Sequence, residues 1–137
     1  MKILLVDDVD LERQFVRDTV EKLGHKVLGE AADGMTALRL FEAERPDLVF
    51  MDIDIPVMNG FDIIALMLEM DPKARIVVIT GMDVQREVVL KSGALGVMKK
   101  PLRVAKVEQM LRQVMSAFRS DKEVRPDQLT ELVDGSE

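Results

Sequence analysis

Leu48-Val49-Phe50-Met51-Asp52-Ile53-Asp54-Ile55-Pro56-Val57-Met58-Asn59-Gly60 is the stretch whose reading decides the fold. Its four leading apolar residues, Leu48 to Met51, read as a strand buried on both faces. The run then stops in Asp52, Asp54, a proline and Asn59-Gly60, which is turn chemistry. Carboxylates therefore stand at the carboxyl end of a strand. In an open α/β sheet ligands bind at that edge, so the chemistry is sought around Asp52.

The same unit recurs on either side. Toward the amino terminus, Lys2 begins a strand, Ile3 to Val6, that ends in Asp7-Asp8. A helix follows from Asp10, read as its N-cap, with Leu11, Phe15, Thr19, Val20 and Leu23 at helical spacing and Gly24 as the left-handed stop. Val27 to Ala32 reads as a second strand. Asp33-Gly34 opens a helix that carries Ala37, Leu38 and Phe41 on one face and is closed by Pro46. Beyond the central stretch, a helix is predicted over 61–70, ended by Asp71-Pro72. The β-branched run Ile76 to Ile79 reads as a buried parallel strand finishing at Thr80-Gly81. A weaker helix over 83–92 is stopped by Gly93. Leu95 to Met98 is the fifth strand, running into Lys99-Lys100-Pro101, and an amphipathic helix spans 102–118 with Val107, Met110, Leu111, Val114 and Met115.

Five strands alternating with five helices through short connections imply a parallel sheet covered on both faces, because each crossover is right-handed and packs back on the sheet. The expected architecture is a doubly wound (βα)5 sandwich over residues 1–118. Residues 119–137 hold three basic and six acidic residues and Pro126, and are expected to form a flexible acidic extension or the start of a linker, with one short helix over 128–133.

Composition agrees with one domain of 137 residues. With five Phe and no Trp or Tyr, the core must be filled by aliphatic residues and the ten Met. The absence of Cys excludes disulfides and thiolate metal sites, and fits a reducing compartment. A net charge of −6 argues against nucleic-acid binding, which needs a basic face. No apolar run approaches the roughly 20 residues that span a bilayer, and the amino terminus lacks a signal-peptide pattern. A cytoplasmic, soluble protein is expected.

Laid side by side, the strands bring Asp7, Asp8, Asp52, Thr80 and Lys100 to one rim. Clustered carboxylates repel one another unless protonated or neutralised by a cation. An all-oxygen set of this kind suits Mg²⁺. A metal, an ammonium and a hydroxyl around one carboxylate make a site for a phosphoryl group, with Asp52 as the nucleophile that becomes an acyl phosphate. Taken singly, each Asp has a plainer reading as a strand-end loop residue; the joint occurrence with Thr80 and Lys100 decides against it. Lys99 reads as a solvated lysine and His25 as a solvent-facing turn residue. The Met residues read mainly as core, with Met82, Met98, Met110 and Met115 weighed also as an adaptable partner surface.

The motifs ILLVDD, MDIDIPVMNG, VVITG and KKPL, in that order, make the chain from Lys2 to about Phe118 resemble the receiver domains of two-component response regulators. The resemblance implies a flavodoxin-like sheet of order 2-1-3-4-5 and a signalling switch, not an enzyme, with slow self-dephosphorylation and no output domain. It implies that Asp52 accepts a phosphoryl group from a histidine kinase or histidine phosphotransfer protein. Asp8 would bind Mg²⁺ directly, Asp7 through water, and the backbone carbonyl of Asp54 would complete the set. Lys100 would pair with the acyl phosphate, Thr80 would swing toward it, and the peptide before Pro101 would be cis. A downstream protein would dock on the face of the fourth helix, fifth strand and last helix, which could also serve a phosphorylation-dependent homodimer. Neither nucleic acid nor membrane is an expected partner.

The chain departs from the family pattern at Val97, where an aromatic residue is usual, so the switch must be transmitted differently or weakly. Met82 and Asp54 stand where side chains govern access of hydrolytic water. A rival reading is a phosphatase of the haloacid dehalogenase type, mimicked by Asp52-Ile53-Asp54. The position on the third strand, the nearby proline and the lack of a cap domain weigh against it. A further alternative is that these residues are the receiver part of a longer regulator.

Overall fold

Parallel pairing of the apolar runs builds one five-stranded sheet. In the computed structural model, which describes residues 1–119, its strands are β1 (Lys2–Val6), β2 (Lys26–Ala31), β3 (Leu48–Asp52), β4 (Ile76–Thr80) and β5 (Gly96–Lys99). They lie in the order β2-β1-β3-β4-β5, as the resemblance implied. The crossovers are helices α1 (Asp10–Lys22), α2 (Gly34–Glu44), α3 (Gly60–Met70), α4 (Arg86–Lys91) and α5 (Val104–Arg119). Beyond Arg119, the expected acidic extension and its short helix over 128–133 lie outside the described residues.

Strand alternation splits the core in two. Leu4, Val6, Val49, Met51, Ile76 and Val78 pack with Phe41 of α2, Ile63, Ile64 and Met67 of α3 and Val89 of α4. Ile3, Leu5, Leu48, Phe50, Val77 and Ile79 face the other way, against Val16 and Val20 of α1 and Val107, Met110, Leu111 and Val114 of α5. Every residue of β3 is buried, which is why that strand reads as an unbroken apolar run.

Close approach fixes the entry into α3. A Cβ on Gly60 would lie 2.5 Å from the Ile53 Cα, so this helix start can press on the exit of β3 only with glycine there. Asn59 caps the helix, its Oδ1 accepting the Phe61 N–H at 2.8 Å. Asp33 caps α2 in the same way through the Thr36 N–H.

Several details depart from the sequence reading. Val9, not Asp10, is the N-cap of α1; its N–H is taken by the Asp7 carboxylate, while Asp10, inside the helix, pairs with Arg13. The fourth helix is shorter than 83–92, because Asp83 points its carboxylate at Lys99 instead of capping, and Gln85 at the N-cap accepts no side-chain bond. Lys99 is exposed, as read, and pairs at the surface with Asp83.

His25 is buried, with 8% of its surface exposed, rather than solvent-facing. Gly24, at φ +90°, turns the chain back under α1, so that the His25 N–H bonds the Val20 carbonyl at 3.1 Å and the ring meets the Met1 amino group at 2.8 Å. Met98 and Met110 are core residues, at 0% and 2% exposure, which removes them from any partner surface; of the four weighed, Met82 is the exposed one.

Candidate functional site

The site lies at the carboxyl ends of β1, β3, β4 and β5. The ladder carries past β1 through the Asp7 N–H, which bonds the Ala31 carbonyl at 3.0 Å. Asp7 Oδ1 then accepts the Val9 N–H at 2.8 Å and steers the chain into α1. Arg13 braces this turn from the helix, donating to the Asp7 carbonyl at 2.5 Å, to Glu30 at 2.8 Å and to Asp10 at 2.8 Å. Asp52, the last residue of β3, is wholly buried; its Oδ1 accepts the Asp54 N–H at 2.8 Å.

Lys100 enters from the end of β5, where its N–H bonds the Thr80 carbonyl at 2.8 Å and the Lys100–Pro101 peptide is cis. The Nζ stands 2.8 Å from Asp52 Oδ2 and 3.6 Å from Asp7 Oδ2, and it also donates to Glu12 Oε1. Asp7, Glu12 and Asp52 each offer a carboxylate oxygen within 4.8 Å of the others. Three carboxylates facing one ammonium leave two negative charges uncompensated when all are ionised.

The electrostatics follow from that imbalance. Burial pushes Asp7 up to about 6, aided by the charges of Asp52 and Glu12 and opposed by the Val9 N–H bond and Lys100. Burial alone would lower Lys100, but hydrogen bonds to Asp52 and Glu12 and the charges of Asp52 and Asp7 outweigh it and hold the ammonium protonated well above its usual range.

Of the residues expected at the rim, Asp7, Asp52 and Lys100 come together directly. Thr80, also buried, stands beside them but bonds Asp54, whose carboxylate rather than its carbonyl is the group engaged. Asp8 is exposed and is not among the three gathered carboxylates. Glu12 is the residue that strand-end reasoning missed. Its signal was position: a helix starting immediately after the acidic end of β1 lays its first turn over the same rim, and Glu12 lies in that turn.

Val97 is buried in the core face of β5 and lines a cavity of about 410 Å³ with Thr80, Met82, Asp83, Val84, Gln85 and Lys99. After β3 the loop makes a three-residue turn in which the Met58 N–H bonds the Pro56 carbonyl at 2.9 Å. Val57, at its centre, takes φ +75° and is fully exposed.

Comparison with known proteins gives the family and agrees with the fold. The family description of the response regulator receiver domain matches residues 3–112. The chain belongs to that family, as a CheY-like receiver domain, a signalling switch rather than an enzyme. It is 36% identical over 115 residues to the chemotaxis protein CheY of Thermotoga maritima, covering 82% of this chain and 96% of that one. With protein CcdB of Bacillus subtilis it shares 39% identity over 116 residues, 83% and 97% of the two chains. Among solved structures it resembles the receiver domain of AraT from Geobacillus stearothermophilus, with a TM-score of 0.80, 25% identity and coverage of 88% and 96%. A chain of the CheX-CheY-BeF3-Mg complex of Borrelia burgdorferi gives a TM-score of 0.77 at 29% identity, covering 86% of this chain and 89% of that one. No helix among the described residues is long and apolar enough to cross a membrane.

Proposed function

We propose that Asp52 accepts a phosphoryl group from the phosphohistidine of a histidine kinase or histidine phosphotransfer protein, with Mg²⁺ as cofactor. The observation that carries this reading is a carboxylate with no exposed surface at the end of the central strand, held 2.8 Å from a lysine that also faces Asp7 and Glu12. Burying charge in this way is costly, and sites that bear such a cost are commonly functional ones.

An Asp52 oxygen attacks phosphorus, the donor's N–P bond breaks with its electron pair returning to the imidazole, and an O–P bond forms. Lys100 orients Asp52 beforehand and balances the charge that arrives. Thr80 and the Gly81 N–H are the donors at the end of β4 for the remaining phosphoryl oxygens.

The donor set fits a hard divalent cation: three carboxylate oxygens, two surplus negative charges and an Asp7 raised by its crowding. Asp7, Glu12 and Asp52 would hold it, with Asp8 and the Asp54 carbonyl as further ligands on the strength of the resemblance. When bound, Mg²⁺ supplies neutralisation of the phosphoryl oxygens. Self-dephosphorylation is water attacking the same phosphorus and releasing phosphate, and the burial of Asp52 makes it slow.

Residues 1–118 form the switch, and 119–137 an acidic extension to it. The protein acts in the cytoplasm, and phosphorylation alters the α4–β5–α5 face, which binds a downstream protein or a second copy of the chain. The test is intact-mass spectrometry after incubation with acetyl phosphate, with and without Mg²⁺. We expect a single metal-dependent phosphoryl adduct that is absent from Asp52→Asn. Incorporation that survives in this variant would move the acceptor elsewhere.

A further inference from the structure

Asp54 carries hydrogen bonds that phosphoryl acceptance at Asp52 does not require. Both of its carboxylate oxygens lie 3.1 Å from Thr80 Oγ1, and Oδ2 also accepts the Gly81 N–H at 2.9 Å. Thr80 Oγ1 accepts the Met82 N–H at 3.0 Å, so its own proton points to Asp54. The Thr80 side chain is buried, at 1% exposure. On its other side Asp54 is tied to the acceptor itself, through its N–H to Asp52 Oδ1 at 2.8 Å. The two donors at the end of β4 thus already hold an anion, and that anion belongs to the protein.

We propose that Asp54 is an internal anion that occupies the Thr80 hydroxyl and the Gly81 amide, so that a phosphoryl group arriving on Asp52 must take both donors from it. This rests on Asp52 being the acceptor. Hydrogen bonds to a carboxylate are roughly twice as strong as neutral ones, so the donors are not given up freely. A phosphoryl group brings about two further negative charges, which repel Asp54. Asp54 is therefore a positioning residue acting through Thr80 and Gly81: it slows acceptance, and its expulsion is the first movement that phosphorylation causes. Val97, which lines the same cavity as Thr80, has neither a hydroxyl nor a ring to hold the threonine, and the group that does hold it is Asp54.

Loss of a single oxyanion donor costs on the order of a hundredfold in enzymes, so freeing two donors should raise the rate at least about tenfold. The experiment compares the rate of adduct formation from acetyl phosphate and Mg²⁺ in wild type, Asp54→Ala and Asp54→Asn, each with Thr80 and with Thr80→Val. Asp54→Ala is expected to accelerate acceptance by about tenfold or more, and Asp54→Asn, which still accepts hydrogen bonds but without charge, by less. In the Thr80→Val background the gain from Asp54→Ala should fall below about threefold, leaving the share that runs through Gly81. An Asp54→Ala variant no faster than wild type overturns the proposal. Equal acceleration in both backgrounds does so too, since simple removal of charge would then explain it.

Amide NMR of the unphosphorylated chain reads the occupancy without any chemistry. The Gly81 proton should move upfield in Asp54→Ala and stay in place in Asp52→Asn; a Gly81 resonance indifferent to Asp54 overturns the occupancy. A wild type that forms no adduct, with the Gly81 shift still present, means instead that the acceptor reading has failed.

Discussion

Lys100 is shared among three carboxylates, and that sharing sets the acid–base behaviour of the site. Because Asp7 is raised from 3.8 to about 6 in the folded protein, the native state binds a proton more readily than the unfolded chain. Its contribution to stability is therefore full below about pH 4 and is lost as pH rises through 6. Replacing Asp7 by Asn removes a poorly compensated buried charge, and should stabilise the metal-free protein on the order of 2 kcal/mol at pH 7. The gain should shrink toward zero as the pH falls to 4. Urea unfolding at both pH values checks this; a gain independent of pH would mean that Asp7 is not the titrating group. Asp52 and Thr80 were legible because each closes an apolar run, and Lys100 because it follows the fifth strand within the KKPL motif. Glu12 was not, since its place at the rim depends on the rotational phase of α1, which depends in turn on Val9 rather than Asp10 being the N-cap.

Among the elements, the turn between β3 and α3 holds the strain. Val57 is β-branched, has φ +75° and buries nothing that would repay the conformation. Val57→Gly should raise unfolding free energy by about 1 kcal/mol, the relief of strain exceeding the entropy added to the unfolded chain. A less stable variant would show that the valine contributes something the turn geometry does not reveal. Helix and strand existence was readable throughout from periodicity and stop residues, Gly24 and Gly93 both taking positive φ as stops do. The extent of α4 was not. Asp83 looked like the start of a helix, yet Lys99, sixteen residues away in sequence, draws its side chain off.

Across the described residues, a sheet with both faces covered by helices leaves its polar chemistry to the strand ends, and at the carboxyl rim Asp7, Glu12 and Asp52 gather within reach of one another. If that acid serves a divalent cation, Mg²⁺ must stabilise the fold, by about 2.7 kcal/mol at a hundred times its dissociation constant. We expect Tm to rise with Mg²⁺ beyond a NaCl control of equal ionic strength, and the rise to be largely lost in Asp52→Asn. A Tm that tracks ionic strength alone would dismiss the metal. The order of elements along the chain, their type, the two-sided burial of β3 and the placing of Asp52 and Thr80 at one rim were determined by the sequence alone, because they rest on local periodicity and on where apolar runs stop. Tertiary structure decided the rest: His25 folded under α1, Glu12 brought to Lys100, and Thr80 and Gly81 turned to Asp54. Of those contacts, the one between Lys100 and Glu12 joins residues 88 positions apart, and it forms only once the folded sheet brings the end of β5 to the start of α1.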